Sequence, residues 1–164
     1  MVTIRFAEPS DADAAVDVLR RSITELCVAD HQGDGDTLCQ WLANKTPQHF
    51  LAWLADRDQV CMIAEENGAL VGVGLIHRDG ELQLCYVAPG AQRRGVGKAL
   101  CLALEGEARR CGLRELRLQS TVTARAFYER MGYRTAGAAA GGFGASRCHP
   151  YRKALEPADT KAAR

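Results

Sequence analysis

The sequence predicts an α/β (α+β) fold, a mixed and mostly antiparallel sheet flanked by helices. Three observations predict it. Asn67-Gly68 separates two apolar runs, residues 60–64 and 70–76, and Asn-Gly in that setting signals a two-residue hairpin. Asp79-Gly80 then separates the second run from Leu82 onward and gives a second hairpin. Apolar residues at helical spacing recur on both sides of this block, from Ala14 to Cys27 and from Val96 to Cys111.

Taken in order, residues 4–6 read as a short strand stopped before Pro9. Ser10 with Asp13 three residues on resembles a capping box and opens a helix reaching about Cys27. Residues 28–37, V-A-D-H-Q-G-D-G-D-T, read as a polar, glycine-bearing loop. Residues 38–54 read as helical, interrupted at Pro47. Residues 81–87 alternate Leu82, Leu84 and Tyr86 against Glu81, Gln83 and Cys85, which is a strand with two unlike faces. The helix from Val96 finds a C-cap in Gly112. Residues 116–120 form another strand. Ala124, Phe127, Tyr128 and Met131 lie at i, i+3, i+4 and i+7, one face of a short helix ended by Gly132. Tyr133 starts a strand, residues 136–145 are almost entirely Gly and Ala around Phe143, and residues 149–155 give the last strand. Residues 1–155 are expected to form a single domain, with 156–164 a loose tail.

A chain of 164 residues is long enough to bury a proper core. Its net charge of +1 supplies no global field for nucleic acid or an anionic membrane, so any electrostatic function must be local. No apolar run reaches a membrane span, and the first residues lack the basic-then-apolar layout of a secretory signal. The expected location is cytoplasmic. Seven cysteines, an odd number without a C-x-x-C pair or zinc-ligand spacing, read as small, mostly buried hydrophobes in a reducing compartment; no metal is expected.

Chemistry concentrates at residues 87–100, V-A-P-G-A-Q-R-R-G-V-G-K-A-L. A turn at Pro89-Gly90 leads into a basic, glycine-bearing loop and then a helix. Gly95 and Gly97 leave no Cβ in the way of a ligand approaching the main chain. The first helical turn adds unpaired N–H groups and the positive end of a dipole, and Arg93, Arg94 and Lys98 add charge, so the stretch suits a phosphate or pyrophosphate. A dinucleotide fingerprint fails because Leu100 stands where its third Gly belongs and the preceding strands are antiparallel. A Walker loop fails because Gln92 replaces its first Gly and Ala99 its Ser/Thr.

Gln92-Arg93-Arg94-Gly95-Val96-Gly97 matches the pattern Q/R-x-x-G-x-G/A. Downstream, Ala124, Phe127, Tyr128, Gly132 and Tyr133 match A-x-x-F-Y-x-x-x-G-F/Y. The two motifs, in this order after antiparallel hairpins, resemble the GCN5-related N-acetyltransferase (GNAT) family from Ile4 to Leu155. The resemblance implies a sheet splayed between its fourth and fifth strands, with acetyl-CoA as co-substrate. It further implies direct transfer of acetyl to an amine of a small molecule or peptide, and a homodimer. Gln92 and the backbone of Arg93, Arg94, Gly95, Val96, Gly97, Lys98 and Ala99 would hold the pyrophosphate. The main chain of Cys85, Tyr86 and Val87 would pair with the pantetheine arm, with Thr123 and Phe127 beside it. Many members carry Asn near Thr123. Tyr128 would protonate the departing thiolate, and an N–H of residues 86–88 would polarise the thioester carbonyl.

Periodicity alone reads Tyr128 as a core aromatic; the motif makes it the general acid. Glu81 stands where some members carry a catalytic glutamate, although a glutamate beside Asp79-Gly80 also suits plain solvation. Asp30, Asp34 and Asp36 crowd the 28–37 loop with His31, and Asp30, His31 and Asp34 are the candidates to receive an amine, against the reading of an ordinary solvated loop. The alternative to an enzyme is a non-catalytic acyl-CoA-binding or partner-binding module.

Overall fold

The computed structural model describes residues 1–157. Strands β1 (Val2–Phe6), β2 (Gln59–Glu66), β3 (Ala69–His77) and β4 (Leu82–Val87) form one antiparallel sheet in that order. Strands β5 (Glu115–Ser120), β6 (Arg134–Thr135) and β8 (Arg147–Ala154) form a second sheet with β8 central, and β7 (Ala140–Gly141) pairs with the start of β8. Helices α1 (Ala12–Leu26) and α4 (Pro47–Ala55) cover one face of the first sheet, and α5 (Val96–Arg110) covers the other. Two short helices, α2 (Val28–His31) and α3 (Gly35–Leu42), follow α1, and α6 (Arg125–Arg130) follows β5.

The hairpin signals are realised locally. Asn67 and Gly68 both take left-handed backbone, φ 53° and 78°, the combination a type I′ turn requires. The strand alternation then sorts the core. Val73 and Leu75 face α1 with Leu19 and Phe50, while Ile76 packs under α5 with Leu100 and Leu104. Gly72 and Gly74 lie on the α5 side of β3. A Cβ at Gly74 would sit 2.5 Å from Leu104 Cδ1, inside any allowed contact, and Leu104 is fully buried. Helix α5 therefore approaches the sheet as closely as it does because position 74 has no side chain. Gly74→Val is expected to overpack this interface at a cost of about 1–3 kcal/mol, read as a lower midpoint in urea.

Two local expectations are corrected. The helix start is capped two residues earlier than Ser10 and Asp13 suggest. Glu8 and Asp11 form the reciprocal box around a 3₁₀ turn, with the Glu8 N–H donating to Asp11 Oδ2 at 2.7 Å and Arg5 holding the same carboxylate. Residues 28–37 are not a loop throughout: α2 and the start of α3 occupy them, split by left-handed Gln32 and Gly33. Asp34 caps α3, accepting from the Thr37 N–H at 3.0 Å. Of the seven free cysteines, Cys27, Cys61 and Cys101 are buried, Cys85, Cys111 and Cys148 are half-buried and Cys39 is exposed.

The last strand begins at Arg147 rather than His149, because Ala140 and Gly141 pair with Cys148 and Arg147. The Gly/Ala stretch before it is tied down from outside. Gly144 and Ala145 N–H groups donate to Gln40 Oε1 and Thr37 Oγ1 of α3, and Phe143 stacks on Trp41 with centroids 6.1 Å apart. Of the expected tail, residues 156 and 157 carry no regular structure and 158–164 lie outside the described residues. Among the described residues, no helix is long and apolar enough to cross a membrane.

Candidate active site

The two sheets meet at one end of β4 and β5 and separate at the other. At the closed end Glu81 bridges Arg117 in parallel fashion, and the Arg117 N–H donates to Gly80 O at 2.9 Å. The Arg117 guanidinium adds an ion pair to Asp79 at 3.1 Å. Beyond that bridge no ladder joins the described strands, and a cleft of about 820 Å³ opens between them. It is lined on one side by Gln83, Cys85, Tyr86 and Val87, and on the other by Gln119, Thr121 and Thr123. This is the splay that the family resemblance implies between the fourth and fifth strands.

The basic loop closes one part of the cleft. Arg93 (φ 60°) and Gly95 (φ 82°) are left-handed, and Gly95 stands as N-cap of α5 without any side-chain cap. The first intrahelical bond comes from the Ala99 N–H to Gly95 O, at 3.0 Å. The N–H groups of Val96, Gly97 and Lys98 therefore have no acceptor within the helix, and no acidic residue sits in the first turn to occupy them. A Cβ built on Gly97 would reach 3.4 Å from Phe127 and 3.5 Å from Val87, ordinary contact distances. Packing alone thus does not demand glycine at 97; its missing side chain keeps open the space between β4 and α6.

Gln92, Arg93, Gly95, Gly97 and Lys98 all line the cleft, as do Thr123, Phe127 and Tyr128. Arg94, Val96 and Ala99 do not. The Arg94 guanidinium is 2.7 Å from Glu66, the Val96 side chain is in the core, and the Ala99 N–H is spent on Gly95. Along β4, the Ala88 N–H donates to Val71 O at 2.8 Å, so alternation turns the Val87 N–H to the cleft edge instead.

Tyr128 is 6% exposed and packs edge-on against both Phe127 and Tyr133. Burial, aided by the nearby Cys85 and Cys101 thiols and Tyr86, pushes its phenol well above the usual tyrosine range. A phenol held that high keeps its proton through the physiological range and can give one up, but is not a phenolate base. Glu81 is at the closed end of the strands, next in sequence to Leu82 and Gln83 of the cleft wall, and is not itself part of that wall.

The acidic 28–37 segment is also reassigned. The buried Asp30 carboxylate accepts from the N–H of Val122 at 2.7 Å, from the N–H of Thr123 at 3.3 Å and from the Thr123 hydroxyl at 2.6 Å. It ties α2 to the loop after β5 and so fixes Thr121 and Thr123 in the cleft wall. The buried His31 ring accepts from the Gly33 N–H at 2.9 Å and bonds Thr24 O at 3.0 Å. Asp34 serves its helix cap. None of the three lines the cleft. Residues that the motifs do not mark, Ser22, Leu26 and Cys27 at the end of α1, complete the wall. The only hint of them in the sequence is Ser22, a small polar residue on the apolar stripe of α1.

Solved structures share this architecture. The GCN5-related N-acetyltransferase from Rhodopseudomonas palustris superposes with a TM-score of 0.82 at 24% identity, covering 93% of this chain and 95% of that one. The PaiA N-acetyltransferase from Thermoplasma acidophilum, in complex with coenzyme A, gives 0.77 at 19% identity over 94% and 99% of the two chains. The yncA protein of Salmonella typhimurium, solved with its cofactor acetyl-CoA, gives 0.71 at 21% identity over 99% of both. No curated protein matches this chain by sequence. The model of the acetyltransferase (GNAT) domain matches residues 25–155, most of the chain and all of the cleft apart from Ser22. The protein belongs to the GNAT acetyltransferase family.

Proposed function

We propose that the protein transfers acetyl from acetyl-CoA directly to an amine of a small molecule or peptide. The observation that carries this is the cleft between β4 and β5, ending at the uncapped N-terminus of α5 with three free N–H groups. Those donors, with Arg93 and Lys98, suit a pyrophosphate. The open space at Gly97 suits the arm that leads away from it, laid along the free edge of β4. Two structural neighbours hold coenzyme A or acetyl-CoA, which supports the same reading.

The chain's own groups then divide the work. The Val87 N–H, on the cleft edge of β4, donates to the thioester carbonyl and stabilises charge as it develops on oxygen. The acceptor nitrogen attacks the carbonyl carbon, the C–N bond forms and the C–S bond breaks. Tyr128 donates its phenolic proton to the departing sulfur. Thr123, oriented by Asp30, lines the same passage.

Coenzyme A is expected to raise Tm saturably, and at about a hundred times Kd it adds about 2.7 kcal/mol. Gly97→Val places a branched side chain between Val87 and Phe127. It is expected to weaken coenzyme A binding about tenfold, one good contact's worth, with the ligand-free Tm little changed. A chain whose Tm does not respond to coenzyme A would sink the proposal, and one that binds it yet releases no thiol with any amine would leave only a binding module.

A further inference from the structure

We infer that Thr121 and Thr123 form a polarised pair of hydroxyls that reads one secondary amide in the cleft, and that Asp30 is the positioning residue that sets the polarity of Thr123. The inference rests on the proposed reading of the cleft and deepens it by naming a ligand group that this wall recognises.

A threonine hydroxyl has one proton to give and two lone pairs to receive with, so its partners inside the protein decide what is left for a ligand. Thr121 and Thr123 both line the cleft on the wall opposite β4. The Thr123 hydroxyl lies 2.6 Å from Asp30 Oδ2. The Asp30 carboxylate also takes the Val122 N–H at 2.7 Å and the Thr123 N–H at 3.3 Å. A carboxylate only accepts, so the hydroxyl is the donor and its proton points at α2. Toward the cleft Thr123 therefore shows lone pairs alone. Asp30 is 4% exposed, which keeps water from competing for that proton.

Thr121 is committed the other way. Its oxygen accepts the Ala124 N–H at 3.0 Å, and among the described residues no acceptor takes its proton. Thr121 is free to donate into the cleft, where Thr123 can only accept. The backbone N–H groups of residues 122 and 123 are spent on Asp30, so they offer a ligand no donor beside the pair.

The ligand group follows from that polarity. An ammonium brings donors only, and an ester or thioester brings acceptors only. A secondary amide brings one strong donor and one strong acceptor on opposite sides of a planar unit. Its N–H satisfies Thr123 Oγ1 and its C=O takes the Thr121 proton. Coenzyme A carries secondary amides in its arm, and a peptide acceptor carries them in its backbone, so the test separates these two sources.

Two ratios are measured in wild type and variants. The first is the affinity for coenzyme A over that for the phosphorylated ADP that remains when its pantetheine arm is removed. The second is kcat/KM for alanine N-methylamide over that for isopropylamine, a branched amine without the amide, at saturating acetyl-CoA. Thr123→Val and Thr121→Val are each expected to lower the same one of these ratios about tenfold, one hydrogen bond's worth. Thr123→Ser and Thr121→Ser are expected to keep it at the wild-type value. A fall in the first ratio puts the amide in the coenzyme, and a fall in the second puts it in the acceptor. If neither amine is turned over, the first ratio decides alone. Asp30→Asn is expected to lower the same ratio, and Asp30→Asn combined with Thr123→Val to lower it no further than Thr123→Val does. Unmoved ratios in both valine variants overturn the inference, as does a response at one threonine only or a serine variant that behaves like valine. Additive losses in the double variant overturn the part given to Asp30. A wild-type chain whose Tm ignores coenzyme A would instead overturn the proposed function.

Discussion

Tyr128→Phe is expected to lower kcat by about 10² to 10⁴, the usual worth of positioned acid–base assistance, while coenzyme A binding persists. The substitution removes one oxygen and keeps the ring. That ring packs 5.2 Å from Phe127 and 5.5 Å from Tyr133, centroid to centroid, at angles of 66° and 72°, so the aromatic cluster survives intact. The variant therefore separates proton donation from packing, which Tyr128→Ala would not. Because burial holds the phenol well above its ordinary value, the wild-type rate should show no loss of this donor across the physiological range. Thiol release by the variant at the wild-type rate, with acceptor and acetyl-CoA saturating, would remove Tyr128 from the mechanism.

What could be read from residues alone follows how local each determinant is. Asn67-Gly68 and Asp79-Gly80 specify their turns within two residues, so the antiparallel order of β2, β3 and β4 was legible. The anion loop was legible for the same reason, since glycines, basic residues and a helix start are contiguous. The family pattern went further and separated Tyr128 from its stripe-mates Phe127 and Met131, which periodicity could not do. Illegible features depend on partners far away in sequence. Asp30 looked like a solvated loop acid because its donors, Val122 and Thr123, are more than ninety residues downstream. Arg94 looks as available as Arg93 in the sequence, but Glu66, the last residue of β2, holds its guanidinium. Alternation put Glu81 on one strand face with Gln83 and Cys85, but the β3–β4 register shifts between Leu84 and Leu82, so that Leu82 and Cys85 pack on the α5 side and Leu84 and Tyr86 on the α1 side, an irregularity set by the pairing with β3.

The largest stability effect should come from a buried ion pair behind the cleft. Glu105 of α5 is fully buried, and the Lys153 ammonium donates to its two oxygens at 2.8 and 3.2 Å. The same ammonium donates to Met131 O at 2.7 Å and lies 5.5 Å from the Tyr133 ring centroid. Lys153 sits on β8 opposite Leu116 of β5, so the pair joins the helix that carries the anion site to the sheet forming the far wall. Lys153→Met leaves the Glu105 carboxylate buried without its cation and Met131 O without its donor. The expected loss is about 3–5 kcal/mol in urea unfolding, because an uncompensated buried charge costs more than the pair contributes. Lys153→Met combined with Glu105→Leu removes both charges and should regain most of that loss, since apolar replacement of a buried pair is often neutral or better. A single variant losing less than about 1 kcal/mol would show that Glu105 does not depend on Lys153 for its charge. The double variant then asks a functional question. If it regains stability but binds coenzyme A more weakly than wild type, the pair sets where α5 presents its free N–H groups; if binding is unchanged, the sheet and Leu104 hold the helix unaided.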